Sequence, residues 1–197
     1  MELPDFQPFP KMARLSRECI ITEKIDGTNA QIVIGEDGSI RAGSRTRWIT
    51  PEADNFGFAA WVRDHADELR GLGVGRHFGE WWGLGVQRGY GLSERRFSLF
   101  NALRWVEQGG ELAAIPTGDP RIAKMQEHAP ACCHVVPVLY RGTMDTDKAS
   151  AILDSLRLYG SKAAPGFMNP EGIVVYHVAG GVGFKKTLGG DGAKGNQ

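Results

Sequence analysis

Lys24 is the residue of this chain with the most evident chemical use. It stands in Glu23-Lys24-Ile25-Asp26-Gly27-Thr28-Asn29, at the end of a β-rich stretch and directly before an Asp-Gly turn. An amine held there in its neutral form is a nucleophile, whereas the same residues also suit an ordinary hairpin with its lysine in solvent. Glu80, in Phe78-Gly79-Glu80-Trp81-Trp82-Gly83, and Glu171, in Asn169-Pro170-Glu171-Gly172-Ile173-Val174, are carboxylates inside otherwise apolar runs. Burying such a charge is costly unless it is paired, so each is expected to have a partner or a task. Arg45 offers a fork of donors shaped for phosphate or ribose oxygens. As one of a run with Arg41 and Arg47 it fits a solvated face equally well. Phe97 and Phe100 alternate with apolar neighbours, a pattern of core packing as much as of stacking on a base.

Other constellations carry less. Cys132-Cys133-His134 has metal-ligand residue types, but consecutive side chains rarely converge on one ion and no second cluster exists. Gly73-x-Gly75-x-x-x-Gly79 and Gly83-x-Gly85-x-x-x-Gly89 have one residue too many for a dinucleotide fingerprint, and no GxxxxGK[ST] phosphate loop is present. The tryptophans suit core or rim positions, with Trp48, beside Arg45 and Arg47, the one placed to touch a nucleic-acid strand.

The elements that must position these residues are short. Residues 18–25 and 29–34 read as strands, followed by the turn Gly35-Glu36-Asp37-Gly38 and a strand over 39–42, together an antiparallel meander. Phe58, Trp61, Val62, His65 and Leu69 recur at helical spacing and predict a helix over 55–70, stopped by Gly71 and Gly73. Strands are expected over 77–82, 97–103 and 135–140. Asp119-Pro120 reads as the start of a short helix reaching about residue 128. A second clear helix is expected over 147–159, ended by Gly160, and a closing hairpin over 172–178 and 182–187. Strands in hairpins with interspersed helices and no regular βαβ alternation point to an α+β domain of mostly antiparallel sheets.

Composition narrows the class. The chain has 197 residues, 42% hydrophobic and 23% charged, which excludes a disordered or collagen-like chain. Its 27 glycines are about twice the ~7% background and argue against a helical bundle. Lys plus Arg and Asp plus Glu are both 23, so no global field recruits a polyanion and any nucleic-acid contact must be local. Three cysteines without CxxC spacing read as reduced thiols. The first residues carry prolines and acids where a signal peptide needs an apolar run, and no run of 18 apolar residues exists. A soluble, cytoplasmic protein with no membrane partner is expected, its Gly-rich tail over 189–197 a frayed end.

Taken together, the motifs resemble those of the covalent nucleotidyltransferases, the polynucleotide ligases and messenger-RNA capping enzymes. Lys24-Ile25-Asp26-Gly27-Thr28-Asn29 looks like the nucleotidyl-lysine motif KxDGxx. Ser44-Arg45-Thr46, the Glu80 strand, Phe97-Ser98-Leu99-Phe100-Asn101-Ala102, the Glu171-Gly172 segment and Gly183-Phe184-Lys185-Lys186-Thr187 follow in the family's order. These six matches span residues 24–186. The Thr-Asn after Asp-Gly is most similar to the ATP-dependent RNA ligases, in particular the small phage and bacterial type. Two positions depart from the pattern. The closing motif usually reads Lys-x-Lys, whereas here the lysines are adjacent and point to opposite faces of a strand, so Lys185 is favoured for the pocket over Lys186. The aromatic motif often ends in Phe-Asp, and here it reads Phe100-Asn101.

The resemblance implies a nucleotidyltransferase (ATP-grasp-like) domain over 1–188, two mostly antiparallel sheets with flanking helices and a nucleotide pocket between them, with no C-terminal OB-fold or helical domain. It implies an ATP-dependent RNA ligase in which Lys24 is the nucleophile, adenylylated and assisted by Lys185. Glu23, Asn29, Arg45, Glu80, Phe100, Glu171, Lys185 and Lys186 would bind the nucleotide. Glu171 and Asp26 would hold Mg2+ or Mn2+. RNA ends would meet Arg41, Arg45, Arg47, Arg88, Arg95 and Arg96, and binding would be weak and salt-sensitive unless a separate nucleic-acid-binding partner adds affinity. A minimal DNA ligase, a GTP-using capping-type enzyme, a nucleotide-binding module without turnover and an interaction domain that binds no nucleotide are the alternatives.

Overall fold

The structure is a computed structural model and describes residues 5–9, 12–115 and 124–189. In chain order the strands are β1 (Glu18–Lys24), β2 (Thr28–Ile34), β3 (Ile40–Ser44), β4 (Trp48–Ile49), β5 (Gly75–Gly83), β6 (Arg95–Leu99) and β7 (Trp105–Val106). They continue with β8 (Ala114–Ile115), β9 (Lys124–Met125), β10 (Glu127–His128), β11 (His134–Val135), β12 (Val138–Thr143), β13 (Gly172–His177) and β14 (Val182–Thr187). The helices are α1 (Phe58–Asp64), α2 (Ala66–Leu69), which runs into a 3-10 turn, and α3 (Thr146–Tyr159).

Two sheets dominate this mixed α+β arrangement. The first is antiparallel throughout and ordered β12-β1-β13-β14. The second is ordered β11-β6-β5-β2-β3-β4, antiparallel except for the parallel β11–β6 pair. Two two-stranded pairs, β8 with β9 and β7 with β10, complete the described ladders.

Each sheet buries one face under a helix. Asp145 caps α3 by accepting from the backbone N–H groups of Asp147 (2.8 Å) and Lys148 (3.1 Å), and Gly160, at φ 77°, ends it in the left-handed region that glycine enters without strain. Ala149, Leu153 and Leu156 of α3 pack on Cys19, Ile21, Ile173 and Val175 of the first sheet. Phe58 and Val62 of α1 join Ala30, Ile32, Ala42, Phe97 and Leu99 of the second. Each large apolar side chain so buried contributes about 1.5–3 kcal/mol.

Several sequence expectations are corrected here. Residues 18–42 are not one meander: β1 belongs to the first sheet and β2 and β3 to the second, so Ile25, Asp26 and Gly27 form a crossing between sheets. The helix expected over 55–70 breaks at His65, whose backbone leaves helical geometry (φ −109°, ψ 17°) as its ring stacks on Trp61 at 4.8 Å. The strand expected over 135–140 is two strands in different sheets, separated at Pro137, which lacks a backbone donor. Of the helix expected from Asp119 to about residue 128, positions 124–125 and 127–128 are short strands joined by Gln126, and residues 119–123 lie outside the described residues. The tail beyond residue 189 lies outside them too. Among the described residues no helix is long and apolar enough to cross a membrane.

Candidate active site

Alternation along β1 decides what its residues face. Cys19 and Ile21 point to the α3 side, and Ile20, Thr22 and Lys24 point to the other. Lys24, the last residue of β1, lies opposite Gly172 of β13. Its Nζ donates to Glu171 Oε2 at 2.7 Å, the lysine side chain 24% exposed and the carboxylate 3%. A side chain at position 172 would place its Cβ 2.2 Å from the Lys186 carbonyl oxygen, so glycine lets β14 close beside this pair.

The second half of the site comes from the other sheet. Glu80 on β5 lies opposite Asn29 on β2 and Ser98 on β6. One of its oxygens accepts from the Gly27 N–H at 3.0 Å, the other from Asn29 Nδ2 at 3.1 Å. Burial pushes the Glu80 carboxyl up to about 7; the nearby Lys24 ammonium and the two donors pull against that rise, and the Glu171 charge adds to it. Gly27 is required by space: a Cβ there would sit 2.5 Å from the Trp81 carbonyl oxygen and 2.7 Å from Trp82 Cβ. The crossing therefore passes close against β5, bringing Lys24 and Glu80 to one place.

Arg88 ties the two chain segments of the site together. Its Nε donates to Asp26 Oδ2 at 2.8 Å, and its Nη1 donates to the Asn169 backbone oxygen (2.9 Å), Asn169 Oδ1 (3.0 Å) and the Pro170 oxygen (3.1 Å). The turn after the lysine is thus fastened to the segment before Glu171. Tyr90 adds a buried hydroxyl that accepts from the Asp26 N–H at 2.9 Å, and burial pushes its ionisation well up.

The remaining sequence-selected residues divide. Lys185 pairs with Val174, which pairs with Thr22, so all three share the face of Lys24. Lys186 pairs with Ile173 and donates to Ser150 of α3 at 2.8 Å, on the opposite face. Glu23 is turned away from Lys24. Its carboxylate is 1% exposed and accepts from Ser161 Oγ (2.6 Å) and the N–H groups of Lys162 (2.7 Å) and Ala163 (3.0 Å), holding the loop after α3. Asp26 is engaged by the Arg88 guanidinium. Arg45 is exposed and follows Ser44, the partner of Ala30, next to the Asn29 row. Phe100 follows β6, 41% exposed, and its N–H donates to the Phe78 oxygen at 3.0 Å.

Four arginines assigned to RNA contact have other engagements. Arg88 forms the tie above, Arg47 donates to the Ala53 oxygen, Arg95 to the Leu84 oxygen, and Arg96 pairs with Glu94. Arg41 lies over the Trp48 ring at 4.5 Å. The roles of Arg88, Tyr90 and Ser161 carry no local sequence signal, since each depends on a partner far along the chain.

Among the described residues no three His, Cys, Asp or Glu side chains converge to hold a metal alone. Glu171 remains a hard oxygen donor of the kind that binds Mg2+ together with substrate phosphates. Beside the site a cleft of about 610 Å3 opens between the sheets, lined by Ile20 from the Lys24 face and by Trp82 and Ser98 from the Glu80 face, with Arg96, Val136 and Lys162 around it.

A family model described as RNA ligase matches residues 17–187. Among solved structures, the fold is similar to an RNA ligase of Naegleria gruberi. A glutamate-to-alanine mutant with ATP and Mn aligns at 18% identity and TM-score 0.59, over 94% of this chain and 57% of that one. A lysine-to-methionine mutant with AMP and Mn aligns at 17% and 0.58, over 88% and 50%. The form with PPi aligns at 18% and 0.58, over 87% and 50%. At these identities the likeness is one of fold, and the chain spans about half the length of those solved relatives.

Proposed function

The chain belongs to the RNA ligase family, and from that premise we propose that it is an ATP-dependent RNA ligase whose region 17–187 is an adenylyltransferase domain using Lys24 as its nucleophile. The observation that carries the reading is the 2.7 Å contact of Lys24 Nζ with Glu171 at the sheet crossing, with Glu80 beside it.

The chemistry follows from these residues. Glu171 orients Nζ at rest. A nucleophilic Nζ must first give up a proton, and with the side chain 24% exposed, water reaches it. Lys185, on the same face, attracts the triphosphate. Nζ then attacks the α-phosphorus of ATP; the N–P bond forms, the bond to the bridging oxygen of the β-phosphate breaks and pyrophosphate leaves. An RNA 5′-phosphate oxygen next displaces the lysine and takes the AMP. A 3′-hydroxyl finally displaces AMP and seals the strand. Glu80 and Asn29 suit ribose hydroxyls, Arg45 a phosphate oxygen, and Phe100 the purine face. Glu171 would hold Mg2+ or Mn2+, which when bound would supply charge against that growing on the phosphates.

The test is the intact mass of the protein before and after ATP with Mg2+, beside Lys24→Ala and a GTP control. A gain of one AMP in the wild type, reversed by pyrophosphate and absent from the variant, is expected. No adduct with either nucleotide, from protein free of prior adenylylation, overturns the reading.

A further inference from the structure

The second sheet has a face that its core does not use. Cross-strand partners share a face, and the pairings place Asn29 beside Glu80, Gln31 beside Phe78 and Gly43, Gly43 beside Trp48, and Val33 beside Arg41 and Arg76. All of these residues therefore stand on one side of β2–β5, while Ala30, Ile32, Ile34, Ala42 and Ile49 are buried on the other. The side that begins at Glu80 continues outward as an aromatic and cationic surface. Trp48 is 41% exposed and Phe78 53%, unusual positions for rings of that size in an ordinary surface.

These rings are dressed with guanidinium groups. Arg41 lies over Trp48 at 4.5 Å, and Arg76 lies over Trp48 at 5.6 Å and over Phe78 at 6.0 Å. Gln31, between the rings in the same row, accepts from Arg76 and donates to the Ser44 oxygen, so the polar filler of the surface is held in place. A planar cation stacked on a ring marks a surface where a planar base can stack and where the cation can turn to a phosphate.

We propose that Trp48, Phe78, Arg41 and Arg76 form a stacking platform for the single-stranded RNA segment adjoining the reacting end. The inference rests on the ligase reading above and extends it to how a chain of zero net charge holds its polyanion. Two residues along β5 from Glu80 is about 7 Å, so the Phe78 row begins one nucleotide step from the site, and the Arg76 row lies at about 13 Å. The Trp48 and Phe78 rings lie 5.6 and 6.0 Å from the Arg76 guanidinium and so no more than about 12 Å from each other, a reach of about three steps of stacked single strand. Bases on the two rings, with phosphates between them meeting Arg76 and Arg41, fit that spacing without sequence selectivity. A single strand is favoured over a duplex because paired bases do not present their faces to rings.

The experiment measures two quantities on each protein: affinity for a labelled single-stranded RNA of about ten nucleotides by anisotropy, and AMP adduct formation by mass. Trp48→Ala with Phe78→Ala is expected to weaken RNA binding about tenfold or more while the adduct forms at the wild-type rate, and Trp48→Phe to bind nearly as the wild type. Arg76→Ala should weaken binding several-fold and lower its salt dependence by about one phosphate contact. Unchanged RNA affinity in the double variant, or a wild type that binds no single-stranded RNA, overturns the platform. Loss of the adduct from the double variant marks misfolding, and Trp48→Phe with Arg76→Ala then decides. A wild type that binds RNA through the platform but forms no adduct leaves the platform standing and removes the ligase reading.

Discussion

Lys24 and Glu171 stand 147 residues apart in the chain and 2.7 Å apart in space. The register of β1 on β13 brings them together, with Lys24 opposite Gly172, and the pair is shielded on the carboxylate side and open on the amine side. An ion pair of this kind stabilises less than its distance suggests, because part of the electrostatic gain offsets desolvation.

That asymmetry is measurable in a double-mutant cycle. Lys24→Ala leaves a buried carboxylate without its cation, whereas Lys24→Ala with Glu171→Gln removes that charge. Urea unfolding of the four proteins is expected to give a coupling energy of about 1–3 kcal/mol, the double variant losing less than the sum of the single ones. Strict additivity would mean that the pair does not interact in solution.

Glu80 gives the fold a pH dependence. Its carboxyl is raised from 4.5 to about 7 by burial, so between those values the folded chain holds a proton that the unfolded chain has released. Stability is therefore expected to fall as pH rises across that window, by up to about 3 kcal/mol. Thermal unfolding of the wild type and Glu80→Gln across the same range checks it: the variant should show the flatter profile, and parallel profiles would refute the assignment.

Arg88→Ala should separate the turn at Asp26 from the Asn169-Pro170 segment. A loss of about 2 kcal/mol in stability is expected, together with a fall in the rate of AMP adduct formation at saturating ATP larger than any rise in apparent KM. Arg88→Lys, which keeps the charge but not the fork, should recover part of the stability and little of the rate. An unaltered rate in Arg88→Ala would show that the tie serves folding alone.

Glu23→Gln exchanges one acceptor for a donor against Ser161 and the 162–163 backbone. About 2 kcal/mol of stability should be lost while the adduct still forms with ATP at wild-type KM. A raised KM for ATP with unchanged stability would return Glu23 to the nucleotide.

What was legible beforehand was local. The helix over 147–159 and the hairpin over 172–178 and 182–187 are written in apolar period and in Gly160 and Gly180-Gly181, and the structure places them within a residue or two. Carboxylates in apolar strands marked Glu80 and Glu171 as residues with partners, which they have. The adjacent lysines 185 and 186 separate to opposite faces, as strand alternation requires. What local pattern could not carry was the choice of sheet: Asp26-Gly27 looks the same whether it turns a hairpin or carries the chain across a gap. The partners of Glu23 were illegible for a related reason, lying in a loop 138–140 residues away. Arg88 sits among glycines with no periodicity to read, and its tie exists only once residues 26 and 169–170 have met.

The order of β12-β1-β13 has a bearing on how the chain is made. Both neighbours of β1 come from beyond residue 137, whereas the strands β2, β3, β5 and β6 find one another within the first hundred residues. At about 5–20 residues per second, roughly 7–30 s of synthesis separate Lys24 from Glu171. β1, five of its seven residues buried in the finished fold, waits with both edges unpaired until β12 has been made, and with one edge open until β13 follows. The nascent chain is thus most open to wrong strand partners and to chaperones at the segment that later carries the nucleophile.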